Sequence, residues 1–174
     1  MSRFELEIWD NEPERVTFYT VRWEDTDLSE TDKFFAKFKE TEKQAVKELL
    51  SLILKAIGNE HGALDEFFNR PENGVSGLPP KGKIRIGEFK AHFQHFPLRL
   101  YALRINDRED LVVLFNGGLK TSDANRDSPD LNLKFMEAND FGNRIEQAIR
   151  EGMIVIDETS RTLKSFDGSD EIIL

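Results

Sequence analysis

The chain contains no cysteine among its 174 residues, which excludes disulfide bonds, thiolate catalysis and thiolate metal sites. It also lacks any apolar run near the roughly 20 residues that a membrane-spanning helix requires. Its first residues mix acidic with apolar side chains and have no apolar centre of the kind that marks a secretory signal peptide. These absences predict a cytoplasmic protein.

Acidic residues outnumber basic ones by 33 to 24, which gives a formal net charge of −9. This balance argues against non-specific binding of nucleic acid by the whole surface. The charge is uneven, because the segment from Lys81 to Arg104 contains six basic residues and one acid. That segment, with a local charge of +5, also contains His92 and His95. It is the main anomaly in the charge distribution.

Apolar periodicity predicts one α+β domain over residues 1–156. Alternating apolar and acidic residues predict an N-terminal hairpin at 3–23. Apolar residues at helical spacing predict a helical pair at 29–68, for which Ser29 can form the N-terminal cap, and the glycines and prolines of residues 70–82 predict a loop. Further alternating or continuous apolar runs predict a meander of consecutive strands over 83–115, namely 83–96, 98–105 and 111–115.

The remaining residues predict one more helix and a tail. Asn116-Gly117-Gly118 has the composition of a turn, and a helix with a terminal glycine is predicted at 131–151. Residues 153–156 have the composition of a strand, and residues 157–174 are predicted to form a polar, mobile tail. The predicted fold is an antiparallel sheet of four to six strands with the helices packed on one face.

The middle of the chain resembles a known family. The resemblance lies in the run Leu98-Arg99-Leu100-Tyr101-Ala102-Leu103-Arg104, in the run from Leu111 to Thr121, and in Pro129 with the helix through Ala138. These runs, together with the order of elements, resemble the RelE/ParE toxin superfamily, and most closely its phage-derived HigB-like branch. The likeness extends over residues 16–149 in element order and over about 86–138 in recognisable residues.

The resemblance implies a toxin of a type II toxin-antitoxin system that a partner antitoxin neutralises. Many members of the superfamily cut messenger RNA on the ribosome without a metal, and others poison gyrase. The positions that match the family pattern are Arg99 and Lys120, with Tyr101 and Arg104 as weaker matches. The chain departs from the pattern in its extra N-terminal hairpin, its tail, its acidic balance and its single lysine after the apolar strand.

Metal-free RNA cleavage needs a base for the 2′-hydroxyl, cations for the phosphate and an acid for the leaving oxygen. Arg99 can stabilise phosphate charge through its guanidinium group, and Lys90 or Lys120 can neutralise it. His92 can act as acid or base near neutral pH, and Tyr101 can stack on a base or share in proton transfer. No metal or other cofactor is expected.

Side chains alternate along a strand, so Arg99 and Tyr101 share one face, as do Lys90 and His92. One site is therefore possible if the two strands pair with these faces aligned. Simpler interpretations remain open: a solvated polar face for Lys90 and His92, a structural ion pair for Arg99, and a turn position for Lys120. Two alternatives to the toxin also remain, a non-catalytic protein-binding module on the same fold and an unrelated α+β domain.

Overall fold

The computed structural model describes residues 2–68, 74–120 and 129–174. Within them the chain forms three α-helices and ten strands of a mixed α+β fold. The helices are α1 (Glu30–Phe38), α2 (Lys43–Leu50) and α3 (Pro129–Arg150). The strands are β1 (Phe4–Asp10), β2 (Thr17–Trp23), β3 (Val75–Leu78), β4 (Lys83–Ile86), β5 (Phe89–His92), β6 (Leu98–Arg104), β7 (Leu111–Leu119), β8 (Ile154–Asp157), β9 (Thr162–Ser165) and β10 (Ile172–Ile173).

Six of these strands form the main sheet, in the order β10-β1-β2-β7-β6-β3. Each neighbouring pair is antiparallel except β2 and β7, which run parallel, with Thr17 opposite Leu111. The N-terminal hairpin is present where alternation predicts it, and β6 and β7 lie where the runs at 98–105 and 111–115 predict strands. The prediction of a purely antiparallel sheet is wrong at its centre, because β2 and β7 are distant in sequence and meet by a long crossover.

The helices lie on both faces of the sheet, so the prediction that they share one face is wrong. Phe34 of α1 and Leu49 of α2 pack with Phe18 and Leu100 in one buried cluster. Phe141 of α3 belongs to a second cluster on the opposite face of the sheet. The central strands are buried on both sides as a result, which explains why β7 is apolar at successive positions instead of alternating.

The first helix begins at the predicted cap, since the Ser29 hydroxyl accepts a hydrogen bond from the backbone N–H of Asp32 at 3.1 Å. The second helix continues directly into a π-helix at Ser51–His61. The wider π-helical turn alters which side chains share a face, and the segment keeps Leu52, Ile53 and Ala56 buried against the sheet.

Two segments differ from the sequence-based prediction. The loop predicted at 70–82 contains β3, which pairs with β6 at the edge of the sheet; its residues 70–73 lie outside the described part of the chain. The strand predicted at 83–96 is instead the separate hairpin β4–β5, which pairs with no strand of the main sheet. A two-residue turn at Gly87-Glu88, with Gly87 at a φ of +58°, divides it.

The predicted mobile tail at 157–174 is also structured. Residues of the tail form β9, which pairs with β8, and β10, which pairs with β1 through Ile172 opposite Leu6. Leu163 and Ile172 are almost fully buried in the α3-side cluster. Because a largely polar stretch separates these two residues, the average composition of the tail gives no sign that they are buried.

Candidate functional site

Four cationic or titratable side chains share the outer face of the β4–β5 hairpin. In the antiparallel register Lys83 lies opposite His92, and Arg85 lies opposite Lys90. All four residues are exposed, because alternate residues of a strand point to the same face. We call Lys83, Arg85, Lys90 and His92 the basic face.

The inner side of the same hairpin is apolar and holds it in place. Ile84 is 6% exposed, and Ile86, Phe89 and Phe93 pack against the cluster that covers the α1–α2 side of the sheet. The ring of Phe89 lies 5.7 Å from that of Phe67 and 5.3 Å from that of His61, measured between centroids. This packing fixes which side of the hairpin faces solvent, so the four basic-face residues are presented together.

The basic face lines an open trough of about 540 Å³, to which Ile84 and Ala91 also contribute. Within the part of the chain that the structure describes, none of the four side chains makes a salt bridge. The positive charge of Lys83, Arg85 and Lys90 is therefore directed to solvent, in a chain whose net charge is −9. Such an arrangement attracts an anionic ligand locally.

The structure brings Lys90 and His92 together but does not pair their strand with that of Arg99 and Tyr101. Strand β6 pairs with β3 and β7 instead. Arg99 is 6% exposed and Tyr101 is 1% exposed, and the Tyr101 ring packs 5.2 Å from Phe135 of α3. The alignment of faces that the sequence left open is thus not realised through strand pairing.

Arg99 and Lys120 meet in a second place, at the end of the β6–β7 pair. Both line a cavity of only about 10 Å³ together with Phe93 and Phe96, and the backbone N–H of Lys120 donates to the Pro97 carbonyl at 2.6 Å. A Cβ at Gly77 of β3 would lie 2.9 Å from the Cδ of Arg99. Glycine at this position therefore leaves the room in which the Arg99 side chain lies.

The segment Asn116-Gly117-Gly118 lies inside β7, so its prediction as a turn is wrong. A Cβ at Gly117 would stand 2.0 Å from the carbonyl oxygen of Arg99. The strand pairing shifts register between Leu100 and Ala102 of the neighbouring strand. The glycine thus permits a close approach of two strands at a bulge, a role that composition alone does not distinguish from that of a turn.

Arg104, the last residue of β6, makes contacts that stabilise the fold. Its guanidinium group donates to the carbonyl of Ala63 at 3.2 Å and to Asp65 at 2.9 Å, and it stacks over the ring of Phe68. It therefore ties β6 to the segment that follows the π-helix. His95 adopts a φ of +58° in the exposed turn between β5 and β6.

A buried carboxyl pair joins α1, β7 and α3. Glu30 is 5% exposed, and its carboxylate accepts from Lys33 at 2.9 Å. The Asn116 amide donates to Glu137. Burial, followed by the charge of Glu30, raises the pKa of Glu137 above its ordinary value. The Glu137 carboxyl therefore keeps its proton to a higher pH than an exposed glutamate does.

Sequence reasoning did not select Lys83 and Arg85 as site residues, although it identified the basic stretch that contains them. The available signal was the alternation Lys-Ile-Arg-Ile at 83–86, which places both cations on one face. This alternation indicates a site only once the turn at Gly87-Glu88 is known, because the turn places Lys83 and Arg85 opposite His92 and Lys90.

Comparisons of the chain with protein-family models, with curated proteins and with solved structures give no match. The resemblance to RelE/ParE toxins therefore remains a prediction. In the described residues, no helix combines the length and the apolar character that a membrane crossing demands.

Proposed function

We propose that this protein is a toxin-type RNA-binding protein, the toxin component of a toxin-antitoxin pair, and that it contacts RNA phosphates through the basic face. The observation that carries the proposal is the convergence of Lys83, Arg85, Lys90 and His92 on one exposed trough. Cations that one hairpin presents on the same face neutralise phosphate oxygens together, and each such contact releases a counterion.

Three of these residues supply the base and the cations that metal-free cleavage requires, and water supplies the acid. In the proposed reaction His92 takes the proton of the 2′-hydroxyl, and the 2′-oxygen then bonds to phosphorus. The bond from phosphorus to the 5′-oxygen breaks, and water protonates that leaving oxygen. Arg85 and Lys90, which lie opposite each other in register, stabilise the added negative charge of the pentacoordinate phosphate.

This proposal gives Arg99 and Tyr101 supporting roles instead of substrate contacts. Both are nearly inaccessible, and Arg99 lies beside Lys120 beneath the turn that connects the hairpin to β6. Substitution of Arg99 should therefore act on toxicity through the fold, by loosening the base of the basic hairpin.

The second candidate function is a non-catalytic module that binds an acidic segment of a protein partner through the same face. It is favoured by the absence of an exposed aromatic platform on the basic face, since Phe89 and Phe93 are turned towards the core and single-stranded RNA is commonly bound by stacking. The acidic balance of the chain also limits how long a polyanion it can accommodate.

The test is expression of the wild-type chain from a tightly controlled promoter, with growth and cellular RNA integrity followed together. His92→Gln and Lys90→Gln are compared with Lys43→Gln, an exposed cation at the start of α2. Growth arrest with RNA cleavage is expected for the wild type and Lys43→Gln. Both should disappear in the His92 variant and weaken in the Lys90 variant, at unchanged thermal stability.

The Arg99→Ala variant distinguishes a structural role of Arg99 from a role in the reaction. Loss of toxicity with a lowered unfolding temperature agrees with a supporting role, whereas loss at unchanged stability would return Arg99 to the reacting centre. A soluble wild-type chain that neither arrests growth nor cleaves RNA would overturn the toxin proposal. Binding of polyglutamate that Lys83→Gln with Lys90→Gln abolishes would then support the protein-binding alternative.

A further inference from the structure

A groove lies beside the basic face, between the α2–π-helix rod and strand β5. Its volume is about 470 Å³, the size of a small-molecule cleft. The residues that line it are Glu48, Ser51, Leu52, Lys55, Ala56, Glu60, Phe89, Ala91, His92 and Phe93. It thus has a helical wall and a strand wall.

The groove is apolar at its base and polar at its rim. Leu52 and Ala56 are 3% exposed, while Phe89 and Phe93 contribute half-buried ring surface from the strand wall. Glu48 and Glu60 are exposed at the helical rim. An occupant must therefore present a flat or apolar body to the base and hydrogen-bond donors to carboxylate oxygens.

The groove and the trough of the basic face are continuous across β5. Ala91 and His92 line both of them. A ligand whose phosphate lies against Arg85 and Lys90 therefore needs to cross only one strand to place an attached ring in the groove. Aromatic surface, which the basic face lacks, is present here.

We propose that the groove binds the base of a nucleotide whose phosphate is held by the basic face, and that it selects guanine. This inference rests on the proposed RNA binding. Guanine presents two adjacent N–H donors on its Watson–Crick edge, which one carboxylate accepts together, whereas uracil presents one. The acceptor is the carboxylate of either Glu48 or Glu60, which lie twelve positions apart on the helical wall, and Phe89 and Phe93 contact the ring.

The rim also argues against an acidic peptide as occupant. Glu48 and Glu60 would repel the side chains of such a segment, and on the helical wall the two acids stand against Lys55 alone. A purine base is neutral and carries its donors at its edge, so the same two carboxylates attract it. The groove thus distinguishes RNA from an acidic protein, although the basic face alone does not.

The test uses the full chain and fluorescence anisotropy of labelled uridine pentamers that carry a central guanosine, uridine or abasic residue. The wild type is expected to prefer the guanosine pentamer over the abasic one by about tenfold, as one bidentate contact provides. Glu48→Gln with Glu60→Gln should bring that ratio close to one. Ser51→Leu, which fills the groove from an exposed position, should do the same.

Removing two acids also raises the affinity of the chain for any phosphate, so the ratio between pentamers is the deciding measurement. Glu40→Gln with Glu171→Gln, at exposed positions outside the groove, provides a control of equal charge and should keep the preference for guanosine. Lys90→Gln should weaken binding of all three pentamers alike.

The outcomes separate this inference from the proposed function. Tight binding of all pentamers without a preference for guanosine, or a preference that the groove variants leave intact, would overturn the base site and leave phosphate binding standing. Binding of no pentamer would overturn both. Binding of polyglutamate in place of RNA would assign the basic face to a protein partner and leave the groove without its base.

Discussion

In the described residues the chain forms two hairpins outside its main sheet, and the two differ in what they expose to solvent. The basic hairpin β4–β5 turns its apolar side to the core and its cations to solvent. The C-terminal hairpin β8–β9 buries Ile154 and Leu163 but exposes apolar surface at Met153, Val155 and Phe166. The basic hairpin therefore exposes charged side chains, and the C-terminal hairpin exposes apolar ones.

The cationic side chains of the C-terminal hairpin also bind other groups of the protein, whereas those of the basic face make no salt bridge with the described residues. Lys164 pairs with Asp170, and Arg161 donates to the backbone carbonyl of Glu14. The backbone N–H of Leu163 donates to the buried hydroxyl of Tyr19 at 2.7 Å. These bonds fasten the C-terminal hairpin to the sheet, whereas the basic face keeps its charge available for a ligand.

The largest expected effect comes from removing the anchor of the C-terminal hairpin. Leu163→Ala should lower the free energy of unfolding by about 3 kcal/mol, because it leaves a cavity at a fully buried position. Urea unfolding followed by circular dichroism measures this loss, and Val155→Ala, at an exposed position of the facing strand, is the control. A loss below that of the control would mean that residues 157–174 form the mobile tail that their composition predicts.

A smaller loss of stability should follow from lowering the pH. Arg108 holds both carboxylate oxygens of Asp110 at 2.8 and 2.9 Å, and it also binds Glu158 in the turn of the C-terminal hairpin. Its hydrogen bonds lower the pKa of Asp110. The stability that this carboxylate contributes is therefore complete above its ordinary pKa and is lost as pH falls through the lowered value.

Asp110→Asn should consequently cost about 1 kcal/mol at pH 7, after allowance for solvent screening, and progressively less as the pH falls through the lowered pKa of Asp110. Thermal unfolding across this range measures the difference between the two proteins. Hydrogen exchange should show the amides of β8 and β9 opening in acid before those of β4 and β5. A deficit that persists unchanged at the lowest pH would show that the ion pair is not its source.

The smallest expected effect tests the charge balance of the two hairpins directly. Lys90→Gln removes like-charge repulsion with Arg85, which lies directly opposite, so it should leave stability unchanged or raise it slightly. Lys164→Gln removes a partner of Asp170 and should lower stability slightly. Melting temperatures in low and high salt measure both changes, which should converge as salt screens the charges. Equal shifts of the same sign would remove this contrast between the hairpins.

The local elements follow from the sequence where one residue type carries a local physical signal. Ser29 predicts its helix cap, and the alternation of Phe4 and Leu6 with acids predicts β1. Lys90 and His92 are likewise predicted to share a face, and they do. In each of these cases the interacting residues lie within a few positions of each other, so the local sequence pattern is sufficient to predict the element.

The predictions fail where the partner is distant. Alternation places Arg99 and Tyr101 on one side of β6 but cannot state that α3 covers that side. The glycines at 77 and 117 have the composition of turns, yet each makes room for Arg99 of another strand. Which strand pairs with which is decided by packing across the whole domain, and that information is not local.

Two central strands, β2 and β7, meet only after the chain has closed a long loop. Thr17 lies opposite Leu111, so roughly 90 residues are enclosed, and closing such a loop costs about 4 kcal/mol of chain entropy. The hairpins β1–β2 and β6–β7 join neighbouring segments and form quickly. We expect the docking of one hairpin on the other to limit the rate of folding, because α1, α2 and the basic hairpin all lie in the loop that it closes.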